Sequence, residues 1–91
     1  MKKESWKWYV YIAKCKDDTY YTGCTWNLSQ RYEQHKSGKG SKYTAKHGFK
    51  DIVYSEEFEN LEEARKRERQ VKDWSRKKKE KLISGKWKQY W

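Results

Sequence analysis

The 91-residue chain predicts a single α+β domain, and three observations carry that expectation. Two runs dense in aromatic and β-branched residues, 6–13 and 19–25, flank the polar step Lys16-Asp17-Asp18, the pattern of a hairpin. A third run of the same kind, 51–55, stands apart from them. Asn27 with Gln30, and Asn60 with Glu63, have the spacing of capping boxes and so mark two helix starts among the strands.

In the hairpin, a three-residue loop that sets Lys16 opposite Tyr20 puts Tyr11, Cys15, Tyr21 and Gly23 on one face and Cys24 on the other. The two cysteines then point apart, and their spacing fits no zinc-ligand pattern, so both are expected to be reduced strand residues. The first helix runs from its Asn27 cap to Gly38, with Leu28, Arg31, Tyr32 and His35 along one face. Half of that face is polar, unlike an ordinary core stripe. Residues 37–48, rich in Gly and Lys, are expected to form a loop, and Glu56 to Glu59 to lead out of the third strand. After Asn60 the inward positions at helical spacing are Leu61, Ala64, Glu68 and Val71, with Trp74 behind them. A last basic helix, residues 75–84, begins at a Ser75 cap, carries Leu82 and Ile83, and stops at Gly85. The domain is therefore expected to span 6–83, with 84–91 a loose basic and aromatic tail.

Only 34% of the residues are apolar while 18% are aromatic, so a small core rich in Tyr and Trp is expected. No run is apolar enough to cross a membrane and no secretory leader is apparent, which points to a cytoplasmic protein without a membrane partner. The net charge of +10 is concentrated: residues 65–91 hold twelve Lys or Arg against Glu68, Asp73 and Glu80, and so carry +9 of it. Basic residues massed in this way suit a polyphosphate partner, because phosphate contacts release counterions from nucleic acid. A solvated helix face that maintains solubility has the same composition.

Glu68 stands where an apolar residue belongs, and a carboxylate there needs a compensating charge. Arg31, a neighbouring lysine or a bound cation would each serve; Mg²⁺ accepts one or two protein carboxylates and completes its shell with water and phosphate. Arg31 and His35 lie one turn apart and reach a common point; the guanidinium suits phosphate, and the imidazole can orient a group or carry a proton. A surface arginine beside a helix-terminal histidine has the same spacing. Tyr11 and Tyr21 share a sheet face, either as packing aromatics or as phenols whose acidity nearby cations raise.

Taken in order, Tyr9-Val10-Tyr11, Tyr21-Thr22-Gly23, Arg31, His35 and Glu68 within Arg-Glu-Arg resemble the GIY-YIG nuclease domain, over residues 6 to 83. The likeness is greatest to small stand-alone bacterial members, in which Lys42-Tyr43-Thr44 and Trp74-Ser75-Arg76 are also typical. The resemblance implies a three-stranded antiparallel sheet flanked by helices, as in a GIY-YIG endonuclease. It also implies one divalent metal ion, Mg²⁺ or Mn²⁺, and hydrolysis of DNA phosphodiester bonds, including branched or single-stranded forms, in repair or recombination. Tyr11 then corresponds to the general base, Tyr21 to its assistant, Arg31 and His35 to groups that stabilise and orient the phosphate, and Glu68 to the metal ligand. Tyr43, Lys42, Arg65, Arg69, Lys72, Arg76 and Lys77 are the expected nucleic-acid contacts, with sequence preference weak, RNA not excluded, and the oligomeric state left open with a monomer favoured. Tyr9 stands in place of the name-giving glycine, Thr22 in place of an isoleucine, and no asparagine follows Asn60, whereas some members carry a late one. A scaffold that grips nucleic acid without cutting is the alternative. Either way, Tyr11, Tyr21, Arg31, His35 and Glu68 are expected to converge on one solvent-reachable hollow.

Overall fold

Three strands and four helices follow in the order β1 (Trp8–Cys15), β2 (Tyr20–Thr25), α1 (Leu28–Lys36), α2 (Lys42–His47), β3 (Phe49–Phe58), α3 (Leu61–Lys72) and α4 (Arg76–Ile83). The computed structural model describes residues 7–85, so the expected loose tail at 86–91 lies outside the described residues. The strands form one antiparallel sheet in the order β2-β1-β3, which puts β1 at its centre. The α+β class and the three-stranded sheet flanked by helices are thus as expected.

The hairpin closes through a β-turn in which Asp18 N–H donates to the Cys15 carbonyl at 2.9 Å and Cys15 N–H to that of Thr19 at 2.8 Å. Asp18 takes φ 73°, a conformation that a short polar side chain tolerates. The register pairs Tyr11 with Gly23 and Lys14 with Tyr20, two residues away from the expected pairing. A slip of two restores the same faces, because side chains alternate with period two. Tyr11, Tyr21 and Gly23 accordingly share a face, and both cysteines are free.

The sheet's two faces bury different chemistry. On one, Ile12 packs with Val71 of α3 and Leu82 of α4, and Tyr20, Val53, Tyr54, Trp74 and Ile83 surround them. Truncating any of those three buried side chains to Ala costs about 2–5 kcal/mol in a core of this size. On the other face Tyr11 meets His35 from α1, and His35 meets Thr44 from α2. Tyr11, Tyr21, Tyr32, Tyr43 and Phe49 join His35 here in a ring cluster that retains polar atoms.

Caps define the helices. Asn27, Asn60 and Ser75 each accept a hydrogen bond from the backbone N–H three residues on. Three expectations need correction. Residues 37–48 are not all loop, because Ser41 caps a short helix, α2, by accepting from Thr44 N–H, and β3 begins at Phe49 and continues to Phe58. Leu61 is not inward but exposed, since it opens α3. Helix α3 is fixed to β3 by Arg67, whose Nε and Nη2 both donate to the Glu56 carboxylate at 2.9 Å while Tyr54 donates to it at 2.6 Å. Among the described residues no helix is long and apolar enough to cross a membrane.

Candidate active site

Tyr11 sits at the centre of the middle strand with none of its surface exposed. Its hydroxyl lies 2.8 Å from His35 Nε2. The ring lies directly over its strand partner Gly23: a Cβ added there would stand 2.6 Å from Tyr11 Cζ, well inside contact distance. Gly23 is therefore glycine for the sake of close approach, and it sets the phenol's position.

His35, in the last turn of α1, is only 1% exposed. Its ring stacks on Phe49 (centroids 5.2 Å apart, 21°) and receives the edges of Tyr11 and Tyr21. Gly40 leaves room for it, since a Cβ there would lie 2.6 Å from His35 Cγ. Nδ1 lies 2.8 Å from Thr44 Oγ1, and Thr44 Oγ1 lies 2.9 Å from Ser41 Oγ. Burial, followed by the positive charge of Arg31, holds the imidazole pKa below its usual value, so His35 is neutral near pH 7.

Arg31 projects one turn before His35. Its charge acts on the Tyr11 phenol, while its Nε is buried without a partner. Burial is the largest influence on Tyr11 and raises its pKa; Tyr21 adds to this, Arg31 opposes it, and Glu68 raises it further. Cations do not prevail here, and the phenol keeps its proton. Tyr21 is half-buried and begins a row of rings: it stacks on Tyr43 at 5.8 Å, and Tyr43 on His47 at 4.1 Å. His47 Nδ1 is bonded in turn to the Asp17 carboxylate.

Glu68 comes from the helix layer on the other side of the sheet, yet its charge acts on both Tyr11 and Cys24. Its side chain is 16% exposed, with Lys72 Nζ 3.4 Å from the carboxylate, so a neighbouring lysine is the partner found. Among the described residues no group of three or more His, Cys, Asp or Glu could hold a metal by itself. One carboxylate balanced by a half-exposed ammonium suits a hard ion that takes a single protein ligand and finds its others in water and phosphate.

Tyr11, Tyr21, Arg31 and His35 therefore gather round one hydroxyl, with the Glu68 charge felt there. Tyr11 and His35 are buried, so solvent does not reach them directly as expected, while Tyr21, Arg31 and Glu68 are half-buried. Lys42, Tyr43, Arg65, Arg69, Lys72, Arg76 and Lys77 are all exposed. Arg76 is engaged as a strap: it donates to the Asp18 carbonyl and to Glu80, and lies 4.6 Å above the Tyr20 ring. Thr44 was marked by the resemblance without a role; the Ser41-x-x-Thr44 hydroxyl spacing was the signal for it.

The family model for the GIY-YIG catalytic domain matches residues 7–81. The chain belongs to the GIY-YIG family. This GIY-YIG chain is 50% identical over 78 residues to a UPF0213 protein of Clostridium perfringens, covering 86% of this chain and 84% of that one. It is 47% identical over 77 residues to one of Staphylococcus haemolyticus, covering 85% and 94%. The solution NMR structure of a UPF0213 protein from Bacillus halodurans is similar with a TM-score of 0.54 and 47% identity, over 86% of this chain and 83% of that one.

Proposed function

We propose that this GIY-YIG domain is a metal-dependent endonuclease that hydrolyses DNA phosphodiester bonds with weak sequence preference. The observation that carries the reading is the buried Tyr11 hydroxyl, bonded to a neutral imidazole, beside a guanidinium whose Nε has no partner. Arg31 is suited to a phosphate oxygen, since its fork gains bonds there that it does not make at rest. The phenol can pass its proton to His35 Nε2 and then, as phenolate, take a proton from the attacking water as the new P–O bond forms; the departing oxygen is protonated by solvent. Tyr21 borders the same space. Glu68 would hold one Mg²⁺ or Mn²⁺, which supplies charge stabilisation at a phosphoryl oxygen. Exposed Lys42, Tyr43, Arg65, Arg69 and Lys77 favour backbone contacts, which position a strand without reading bases.

The test is nicking of supercoiled and branched DNA with Mg²⁺ or Mn²⁺. Wild type should cut, while Glu68→Ala and Arg31→Ala should lose about a hundredfold or more. Undiminished cutting in both variants would remove the assigned site. One observation favours a second reading, a binding module that does not cut: the working hydroxyl is sealed and holds its proton. That reading expects steeply salt-dependent binding with no nicks in any metal.

A further inference from the structure

Buried Tyr11 has two polar neighbours at its hydroxyl, and they differ in kind. The positive charge of Arg31 acts on the phenol and favours its oxygen lone pairs turned toward the guanidinium, with the proton directed elsewhere. The acceptor at hand among the described residues is His35 Nε2, 2.8 Å away. A neutral imidazole that accepts at Nε2 carries its proton on Nδ1, and Nδ1 faces Thr44 Oγ1 at 2.8 Å.

Thr44 is 1% exposed and built to receive that proton. Its own hydroxyl can donate to Ser41 Oγ at 2.9 Å or to the Ser41 carbonyl at 3.4 Å, which leaves its lone pairs for the imidazole. Ser41 Oγ in turn accepts Thr44 N–H at 3.1 Å, so the bond that caps α2 also sets where the Thr44 hydroxyl stands. Phe49 and Gly40 close around the ring and prevent it from turning to another partner.

We propose that Thr44, placed by Ser41, is a positioning residue that holds His35 as the Nδ1–H tautomer, so that its Nε2 lone pair is permanently presented to the Tyr11 hydroxyl. Thr44 touches neither substrate nor metal. It acts through the imidazole, as an orienting acceptor acts in other histidine-dependent sites. The catalytic consequence rests on the nuclease reading above; the tautomer does not.

The experiment records the imidazole nitrogen signals of uniformly ¹⁵N-labelled protein by long-range proton–nitrogen NMR. The chain has two histidines, and His47→Gln assigns the pair. Wild-type His35 should show a protonated Nδ1 and a bare Nε2. Thr44→Val, of nearly the same shape, should lose that bias, and Thr44→Ser should restore it. A wild-type spectrum with the proton on Nε2 overturns the proposal, as does an unchanged tautomer in Thr44→Val. The wild-type spectrum decides the matter even where the valine variant does not fold. In nicking assays Thr44→Val should lower kcat about ten- to a hundredfold with KM unchanged, and Thr44→Ser should recover most of it. A loss seen only in KM would also overturn it. A wild type that never nicks sinks the nuclease reading, while the tautomer spectrum still decides the role of Thr44.

Discussion

The phenol of Tyr11 is held by what its neighbours lack as much as by what they offer. Gly23 lacks a side chain, and the ring fills that space. Gly23→Ala should therefore displace the ring, costing about 1–3 kcal/mol in denaturant unfolding and most of any nicking activity, and a variant with wild-type midpoint and rate would show that the contact does not matter. On the opposite face Thr22 is buried with a hydroxyl that has no partner. Thr22→Val keeps the shape and removes the unpaired group, so it should stabilise by about 1 kcal/mol, visible as a higher denaturant midpoint. Glu68 drew attention as a carboxylate on an inward helix face, whereas Tyr11, Tyr21, Arg31 and His35 were singled out by shared faces together with the family resemblance. Thr44 was not, because one hydroxyl in a Gly- and Lys-rich stretch has no periodicity to betray it.

Among the elements, the two long helices and the hairpin were readable from caps and alternation. Asn60 accepts Glu63 N–H at 2.9 Å, and Asn60→Ala should cost about 1 kcal/mol, measurable by thermal or denaturant unfolding; a neutral result would mean that α3 is held by Arg67 and packing alone. Helix α2 escaped notice since six residues between glycines give neither a stripe nor the composition of a helix. Hairpin register escaped for a different reason: alternation fixes parity, whereas the offset depends on how the turn closes, here with Asp18 at positive φ. The exposed Leu61 shows that periodicity alone does not tell where a helix begins to overhang its sheet.

For the molecule as a whole, the sheet separates an aliphatic core from an aromatic and polar one, and the two respond differently to acid. The folded-state pKa of His35 lies below the ordinary 6.5, so its contribution to stability is complete above that value and is lost as pH falls below it. Asp17, held down to about 2 chiefly by His47, contributes above its ordinary 3.8 and loses this at lower pH still. Thermal midpoints should therefore fall from pH 7 to pH 5, and His35→Gln, though less stable, should show a shallower fall; equal slopes would mean that the buried imidazole is not titrating. The charge asymmetry could be read from the sequence, and so could a lysine partner for Glu68, since Lys72 lies four residues on along the same helix. The hold of Arg76 on the hairpin turn could not, because it depends on how α4 lies against the sheet.

Alternation along β2 has one more outcome. Tyr21 and Gly23 are separated by a single residue, and their common orientation is a matter of even spacing. Excising Thr22 would do more than shorten the strand, for it would turn one of them through the sheet. Length variation at this spot should thus be filtered by arithmetic, with homologues gaining or losing residues there in twos or not at all.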